Sequence, residues 1–438
     1  MRCSPPRWTV LLLVVGTAAE NATLRWAALP VPPADPILGL KALFLADPSP
    51  SKMDLAVGAY RDDHGAPWVL PAVKTARDRL AADPDWTHEY LPIDGYAPFL
   101  RQSEALLYGG NADDDFFVAS AQALSGTGAV RLALEFLRRH HDVTDVVYVP
   151  KTTWSNHRSI ATDAGYAVRE YRYLLAAESA LDGAGLLEDL HNAKEGAIVL
   201  LHLCAHNPSG VDPSPATWAK IAEIVAERRL FPVFDSAYLG FATGDPDVDA
   251  APFRSFVAKG LYPWACLSYS KNFGLYSERV GAVHATVPTA HAREAVVGHL
   301  KKVARAMYSN PPAFGARLVA TVLSDAALRD SWRGSLREMA GRIQTLRHEL
   351  RTRLEDAASP KRKRDWSHVT SQIGMFSFTG LSVEAVHRLR AEHHVYMLDN
   401  GRISMAGLNS GNLARFADAV LQVLDDIEKE HTTTHEEL

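Results

Sequence analysis

A lysine lies near small hydroxyl groups and an arginine in the run SYSKNFGLYSERVG, residues 268–281. Lys271 follows the apolar residues 264–267, which predict the end of a buried strand. A lysine amine can bond the aldehyde of pyridoxal phosphate, while hydroxyl groups and a guanidinium hold its phosphate. The candidates for that phosphate are Ser268, Ser270 and Arg279. Because ordinary loops often contain the same residue types, this hypothesis depends on the rest of the chain.

Two further apolar runs end in polar side chains. Residues 197–204 lead into Asn207, and residues 230–234 end at Asp235, with Tyr238 just beyond. In an open parallel sheet such strand ends face the ligand crevice. An aspartate beside the pyridine nitrogen keeps that nitrogen protonated, and an asparagine and a tyrosine can both bond the phenolic oxygen of the ring. Once the substrate has released Lys271 from the cofactor, its amine would serve as general base at the substrate α-carbon. Structural ion pairs can also place polar groups at strand ends, so they are the alternative interpretation.

A helix start and an aromatic residue provide further candidates. Ser125, Gly126 and Thr127 precede an amphipathic run that predicts a helix, so they lie at its amino terminus. The free N–H groups and the dipole at such an end favour an anion such as a phosphate, although simple helix caps have the same composition. Trp154 follows the predicted strand 145–150. From there its indole could stack on a planar ring, while core packing is the common alternative.

Four residues outside these runs are candidates for ligand contacts. Gly58 interrupts residues 55–61, which predict a short strand, and a glycine lets a ligand approach the backbone. Tyr90 lies in a polar loop. Arg305 precedes a pair of prolines, and Arg402 directly follows a predicted hairpin turn. A guanidinium in either position can bind a carboxylate with two parallel hydrogen bonds, although solvated surface positions are the simpler interpretation of both arginines.

Composition limits the class of protein. The chain has 438 residues, of which 47% are hydrophobic and 22% charged, as expected of a soluble globular protein with one large or two ordinary domains. A net charge of −5 indicates no basic surface for nucleic acid. Three cysteines predict no disulfide framework, and no Cys/His spacing predicts a metal site.

The amino-terminal residues 1–25 differ from the rest of the chain. Arg2 and Arg7 precede the apolar residues 8–19, which end in the small residues 16–19, as in a secretory-type signal peptide. The apolar run is short for a membrane span, and it is too apolar for a usual mitochondrial presequence. We therefore predict a targeting segment for an organelle or the secretory route, with an untargeted extension as the alternative. Asn21 begins a possible glycosylation triplet.

Long runs of the sequence resemble the aspartate aminotransferases of the class I, fold-type I family. They are VGAYRDD, HEYLPI, SGTGA, HNPSG, FDSAY, SKNFGLYSERVG, YSNPP, QIGMFSFTGL and NGRIS, in that order. The likeness extends from Trp26 to the predicted carboxyl-terminal helix. Residues 26–39 are more similar to the mitochondrial than to the cytosolic branch, so the resemblance implies the mitochondrion as an alternative destination. One departure is the Asn-Pro-Ser-Gly run at 207–210, where the family has Asn-Pro-Thr-Gly.

The resemblance implies a cofactor role for each candidate. Lys271 is similar to the lysine that bonds pyridoxal phosphate, and Asp235 to the partner of the pyridine nitrogen. Asn207 and Tyr238 resemble the pair on the phenolic oxygen, and Trp154 resembles the ring-stacking residue that also acts in catalysis. The implied phosphate ligands are Ser125, Gly126, Thr127, Ser268, Ser270 and Arg279, with Tyr90 from the partner subunit.

The same resemblance implies how a substrate is held. The implied substrate contacts are Gly58, Trp154, Asn207, Arg305 and Arg402. Gly58 and Arg402 match contacts to the α-carboxylate, and Arg305 matches an arginine that reaches the distal carboxylate across a subunit interface. His157 and His202 match residues that support the aspartate.

The fold and the reaction follow from the same resemblance. It implies an α/β fold with a large domain, residues 68–338, built on a mainly parallel seven-stranded sheet flanked by helices. A smaller discontinuous domain would combine residues 26–67 with residues 339–438. The implied enzyme is an obligate homodimer that converts L-aspartate and 2-oxoglutarate to oxaloacetate and L-glutamate by a ping-pong mechanism. The alternatives are an aminotransferase of broader aromatic and dicarboxylic specificity, a non-catalytic binding protein of this fold, and a decarboxylase with the same cofactor.

Overall fold

The computed structural model describes residues 26–32, 36–110, 116–175, 180–356 and 364–436. Residues 1–25, with the predicted targeting segment and Asn21, lie outside the described residues. The strands are β1 (Met53–Asp54), β2 (Phe117–Leu124), β3 (Val146–Pro150), β4 (Ala167–Tyr171), β5 (Ile198–His202), β6 (Phe231–Ser236), β7 (Trp264–Ser268), β8 (Val280–Val287), β9 (Phe376–Phe378), β10 (Val395–Tyr396) and β11 (Arg402–Ser404).

Helices alternate with these strands along most of the chain. They are α1 (Pro36–Ala46), α2 (Pro71–Ala81), α3 (Ala97–Tyr108), α4 (Ser125–His140), α5 (Asn156–Asp163), α6 (Gly183–His191), α7 (Pro215–Glu227), α8 (Pro246–Asp249), α9 (Ala251–Ala258), α10 (Ala290–Met307), α11 (Phe314–Ser324), α12 (Ala326–Asp356), α13 (Ser367–Ser371), α14 (Val383–His393) and α15 (Leu413–Glu436). Among the described residues, none of these helices combines the length and the apolar character that a membrane span requires.

Seven strands form the central sheet in the order β2-β8-β7-β6-β5-β3-β4. Within it, β8 pairs antiparallel with β2 and β7, and the other pairs are parallel. The prediction of an α/β fold with a mainly parallel seven-stranded sheet is therefore confirmed. Since every strand except β8 runs in one direction, the carboxyl ends of six strands lie along the same edge.

Alternate residues of the central strands pack into two apolar cores, one on each face of the sheet. In β5, Ile198 and Leu200 belong to the core that contains α4, whereas Val199 and Leu201 belong to the larger core on the other face. Successive side chains of a strand point to opposite faces. A strand buried on both faces is therefore apolar throughout, which explains the continuous apolar run at residues 197–204.

The long helix α12 joins the central sheet to the carboxyl-terminal part of the chain. Its buried side chains include Leu336, Ile343 and Leu350, which recur every seventh residue and so lie on one face of the helix. This face contacts α2, α11 and α15. In the sequence, the amphipathic pattern predicts a long helix over roughly residues 328–357. The structure confirms this helix, with bounds one or two residues away.

Two small sheets bring the two ends of the chain together. β1 pairs parallel with β10, and β11 pairs antiparallel with β9. The predicted strand at residues 55–61 is wrong: β1 ends at Asp54, and only Arg61 makes an isolated bridge, to Pro67. The chain continues irregularly because the N–H of Leu55 donates to β10 while its carbonyl accepts from β11.

The predicted hairpin before Arg402 is also wrong in its pairing. The chain does turn there, with the Gly401 N–H donating to the Leu398 carbonyl at 2.9 Å. However, the strand before the turn, β10, pairs with β1, and the strand after it, β11, pairs with β9. Each strand therefore takes its partner from a distant part of the sequence instead of from its neighbour.

Candidate active site

A cavity of about 140 Å³ opens where the carboxyl ends of the parallel strands meet. Its lining residues are Gly58, Ser125, Gly126, Thr127, Trp154, Asn207, Asp235, Ala237, Tyr238, Ser268, Lys271, Arg279, Phe376 and Arg402. The structure thus brings together all the candidate side chains of the sequence except Ser270, Tyr90 and Arg305. The residues at 125–127, 154, 207, 235–238 and 268–271 meet because they lie at or just after the ends of central strands that share one edge of the sheet. Gly58, Phe376 and Arg402 come from the parts of the chain that form the two small sheets.

Lys271 provides the amine of this cavity. It lies three residues after β7 and is partly buried, with its Nζ atom 5.2 Å from the centre of the Tyr238 ring. Burial lowers the pKa of Lys271 to about 8, the Asp235 carboxylate opposes this shift, and the Arg279 guanidinium adds to it. A larger share of this amine is therefore unprotonated near neutral pH than for an exposed lysine, and an unprotonated amine is the form that attacks an aldehyde.

Asp235 is a buried carboxylate with one oxygen left free. Its Oδ2 atom accepts a hydrogen bond from His157 Nε2 at 2.8 Å, whereas Oδ1 has no partner among the described residues. Burial acts to raise the pKa of Asp235, but the hydrogen bond from His157 and the electrostatic surroundings of the carboxyl, Lys271 among them, outweigh burial, so the pKa lies below its usual value. The group is a carboxylate whose buried Oδ1 is available to a donor on a bound molecule.

A chain of hydrogen bonds holds His157 in the orientation that serves Asp235. Thr153 Oγ1 lies 2.8 Å from His157 Nδ1 and 2.8 Å from His202 Nε2. Burial lowers the pKa of His202 to about 3, so its imidazole is neutral. Thr153 was not singled out in the sequence, because a threonine between a strand and Trp154 gives no signal of such a role.

Asn207 and Tyr238 lie together on another side of the cavity. Asn207 Nδ2 donates to Tyr238 Oη at 3.3 Å, and Asn207 Oδ1 has no partner among the described residues. Burial raises the pKa of Tyr238 above its usual value, although the Arg402 charge opposes this. The phenol therefore keeps its proton and can donate it to an acceptor in the cavity.

A group of hydroxyls surrounds the first turn of α4. Ser125 Oγ lies 2.8 Å from the Oγ atoms of both Ser268 and Ser270. Leu124, which precedes the helix, caps none of its N–H groups with a side chain. These N–H groups and the positive end of the helix dipole form a site for an anion. Ser270, which does not line the cavity, belongs to this group through its bond to Ser125.

Arg402 presents an incompletely satisfied guanidinium to the cavity. Its side chain is 3% exposed, lies 4.3 Å from the centre of the Phe376 ring, and donates to the Ala56 carbonyl, while Nε has no partner among the described residues. Burial lowers the pKa of Arg402 to about 10, so it remains a cation at neutral pH. Gly58 packs on the same ring, where a Cβ atom would approach Phe376 Cζ to 2.9 Å. Sequence reasoning missed Phe376, because the alternation in its strand predicts only a core residue.

Tyr90 and Arg305 lie away from this cavity within one chain. Tyr90 is 82% exposed and lines a separate surface depression of about 690 Å³ with Trp86 and Phe314. Arg305 is exposed near the end of α10, where its Nη1 atom donates to Ser309 Oγ at 3.0 Å. A single chain therefore does not bring these two residues to the site, and their action across a subunit interface stays a prediction.

The donors and acceptors of the cavity fit pyridoxal phosphate. The free Asp235 Oδ1 matches a protonated ring nitrogen, and the uncapped start of α4 matches a phosphate. The Tyr238 hydroxyl and Asn207 match a phenolic oxygen, and the Lys271 amine matches an aldehyde. The free donor of Arg402 is left for a carboxylate on a second molecule.

Comparison with known proteins gives one family. A family model described as aminotransferase class I and II matches residues 50–420. The chain is 47% identical over 398 residues to a cytoplasmic aspartate aminotransferase of Oryza sativa subsp. japonica, covering 90% of this chain and 97% of the relative. It is 45% identical over 403 residues to a mitochondrial aspartate aminotransferase of Dictyostelium discoideum, covering 92% and 93%.

A solved structure agrees with these relatives. The aromatic-amino-acid aminotransferase from Burkholderia pseudomallei, covalently bound to pyridoxal phosphate, superposes with a TM-score of 0.87 at 40% identity. The superposition covers 91% of this chain and 99% of that one. The protein belongs to the class I and II aminotransferases. The family uses pyridoxal phosphate, so the fit of the cavity to this cofactor has an independent basis.

Proposed function

We propose that the protein is an aspartate aminotransferase that moves the amino group of L-aspartate to 2-oxoglutarate, with oxaloacetate and L-glutamate as products of a ping-pong reaction. The observation that carries the proposal is the meeting of the Lys271 amine, the free Oδ1 of Asp235 and the buried cation of Arg402 in one cavity. The similarity to aspartate aminotransferases over most of the chain supports the choice of substrate.

Each residue of the cavity would perform a separate part of the reaction. Pyridoxal phosphate, when bound, supplies a conjugated ring that accepts the electron pair released at the substrate α-carbon. Asp235, oriented by His157, would hold the proton on the ring nitrogen. Lys271 Nζ would first bind the cofactor aldehyde. After the substrate amino group replaced it there, the released amine would move the proton of the substrate α-carbon. Tyr238 and Asn207 would donate to the phenolic oxygen, and Trp154 would cover one face of the ring.

Binding of the two charged ends of the ligands follows the same geometry. The phosphate would lie among Ser125, Ser268 and Ser270, at the uncapped start of α4. The remaining phosphate ligands would be Gly126, Thr127, Arg279 and the partner's Tyr90. Arg402 would hold the substrate α-carboxylate beside Gly58, because its guanidinium is fixed on Phe376 and retains a free donor.

The visible spectrum of the purified protein tests this function. Protein prepared with pyridoxal phosphate should absorb in the visible range, and borohydride should fix the cofactor to the peptide that contains Lys271. Aspartate alone should change the spectrum in a half-reaction, and 2-oxoglutarate should reverse the change. A protein that binds the cofactor but gives no oxaloacetate from aspartate would contradict the proposal, and conversion of aspartate to alanine with release of carbon dioxide would favour a decarboxylase.

We also propose that the active enzyme is a homodimer in which each subunit completes the site of the other. Arg305 would bind the distal carboxylate of aspartate or glutamate in the partner's cavity. Its exposure at the end of α10, and its absence from the lining of the cavity in its own chain, support this assignment.

Arg305→Ala is expected to lower kcat/KM for aspartate relative to phenylalanine by roughly a hundredfold or more, because a desolvated carboxylate would lose its ionic partner. Arg293→Ala, which removes another exposed arginine of the same helix, is the matched control and should leave that ratio unchanged. Steady-state kinetics with both amino acids measure it. An unaltered ratio in Arg305→Ala would exclude this role and favour the aromatic specificity named for the Burkholderia relative.

The proposed division into domains follows from the pairing of strands near the amino terminus with strands near the carboxyl terminus. We assign residues 68–338 to a large domain around the central sheet. Residues 26–67 and 339–438 form a smaller discontinuous domain. The pairing of β1 with β10 and the continuation of α12 between both parts support this assignment.

The proposed role of residues 1–25 is targeting to an organelle or the secretory route, which their sequence supports. The relatives include a cytoplasmic and a mitochondrial enzyme, so the similarity of the enzyme part does not choose a compartment. Fused to a fluorescent reporter, residues 1–25 should move the reporter out of the cytosol, and a fusion in which Leu11, Leu12 and Leu13 are replaced with asparagine should not. A cytosolic signal from the unaltered fusion would contradict the prediction.

A further inference from the structure

A chain of five polar side chains, four of them buried and one partly buried, lies on the face of the sheet that α3 covers. Tyr269 Oη donates to Ser103 Oγ at 2.6 Å, and Ser103 Oγ lies 2.7 Å from His284 Nε2. His284 Nδ1 lies 2.7 Å from Ser120 Oγ, which donates to Glu104 Oε1 at 2.5 Å. Ser103 and His284 are completely buried, and Tyr269 is 1% exposed. These residues are called the Tyr269–Glu104 chain below, and the function proposed above uses none of them.

Counting protons gives every bond in this chain one direction. The single hydroxyl proton of Ser120 goes to the Glu104 carboxylate, so Ser120 Oγ accepts from His284 Nδ1–H. Burial lowers the pKa of His284 to about 3, so its imidazole is neutral and Nε2 must accept the proton of Ser103. Ser103 Oγ in turn accepts from Tyr269. With Glu104 ionised, each donor of the chain points towards its carboxylate. Burial raises the pKa of Glu104, whereas the hydrogen bond from Ser120 acts to lower it.

Tyr269 connects this chain to the candidate active site through the backbone. It lies between Ser268 and Ser270, whose hydroxyls bond Ser125 on the other face of the sheet, and it is two residues before Lys271. Its N–H donates to the Val280 carbonyl at 3.1 Å. With the tyrosine hydroxyl held on one face and the two serines on the other, the turn from residue 268 to residue 271 is fixed from both sides.

We propose that the Tyr269–Glu104 chain positions the turn that presents Ser268, Ser270 and Lys271 to the cofactor, with Tyr269 and Ser103 as positioning residues. This inference rests on the proposed function, since it assumes that the turn binds pyridoxal phosphate. The alternative is that the chain only stabilises the fold, like other buried hydrogen bonds.

Tyr269→Phe separates the two explanations, because it removes the first donor but keeps the ring that packs on Phe99 and Phe273. Tyr108→Phe is the matched control. Tyr108 is also buried beside β8, and its hydroxyl bonds a side-chain hydroxyl, Thr286 Oγ1, at 2.9 Å. In the sequence, however, Tyr108 is distant from the turn at residues 268–271. Both variants lose one buried hydrogen bond, so their melting temperatures should fall by similar amounts.

The measurements are the dissociation constant of the apoprotein for pyridoxal phosphate and the pH at which the absorption band of the bound cofactor changes. Tyr269→Phe should weaken binding about tenfold, which corresponds to about 1.4 kcal/mol, and should displace the spectral transition. Tyr108→Phe should leave both within about twofold of wild type. Ser103→Ala should also weaken binding, and the double variant Tyr269→Phe/Ser103→Ala should weaken it by less than the product of the two single effects, because both break the same chain.

Two results would overturn the inference. They are unchanged cofactor binding and spectrum in Tyr269→Phe, and equal losses in Tyr269→Phe and Tyr108→Phe. Absence of pyridoxal phosphate binding in the wild-type protein would instead refute the proposed function, so the two failures are distinguishable.

Discussion

Lys271→Ala should lower the turnover of aspartate by more than about 10⁴-fold, because one residue would supply both the covalent attachment and the general base. Of the described residues that line the cavity, Lys271 alone carries a primary amine, and the guanidinium groups of Arg279 and Arg402 cannot replace it. Steady-state assays with aspartate and 2-oxoglutarate measure the loss. Added methylamine should restore part of the activity, and turnover within about a hundredfold of wild type would contradict the role.

Unfolding of the Lys271→Ala variant would not explain its loss of turnover. Burial lowers the pKa of Lys271 to about 8, so below pH 8 the folded apoprotein holds a charged amine that is less well solvated than in the unfolded chain. As pH rises above 8, the folded state loses this proton while the unfolded state keeps it, and stability from this group increases. Lys271→Ala removes the penalty, so the variant apoprotein should melt at no lower temperature than wild type at pH 7. The difference between the two should become smaller by pH 9.

Asp235→Ala should lower kcat/KM for aspartate by about 10³-fold, roughly 4 kcal/mol of transition-state stabilisation. The reason is the loss of the negative charge that would keep the ring nitrogen protonated while electrons move into the ring. The lowered pKa of Asp235 keeps it ionised at neutral pH, so this charge is present throughout the working range.

Two further substitutions separate the charge of Asp235 from its shape. Asp235→Asn keeps the shape and removes the charge, and it should lose nearly as much activity as Asp235→Ala. Asp235→Glu keeps the charge and should recover a measurable part of the activity. Activity in Asp235→Asn within about tenfold of wild type, roughly 1.4 kcal/mol, would show that the charge is not what matters. Bound cofactor, measured by absorbance, must be compared in all variants, because weaker binding alone would change the apparent kcat.

The sequence alone was sufficient to predict the members of the cavity that follow strands of the central sheet. Asn207, Asp235 and Lys271 each come after an apolar run, and a strand buried on both faces must be apolar along its whole length. Parallel strands have their carboxyl ends at one edge, so polar residues just after such runs come together whatever the details of the loops. The α12 helix was equally predictable, since its apolar periodicity persists over many turns.

The tertiary structure alone decided the parts that depend on partners distant in sequence. The predicted strand at residues 55–61 and the predicted hairpin before Arg402 are both wrong, because β1 and β11 pair with strands from elsewhere in the chain. Local patterns contain no information about such partners. The same holds for Phe376 beneath Arg402 and for the bond between Thr153 and His202, because the partners in each pair are distant in the sequence. Residue types therefore determined which chemistry this protein can perform, and long-range packing determined which groups orient those residues.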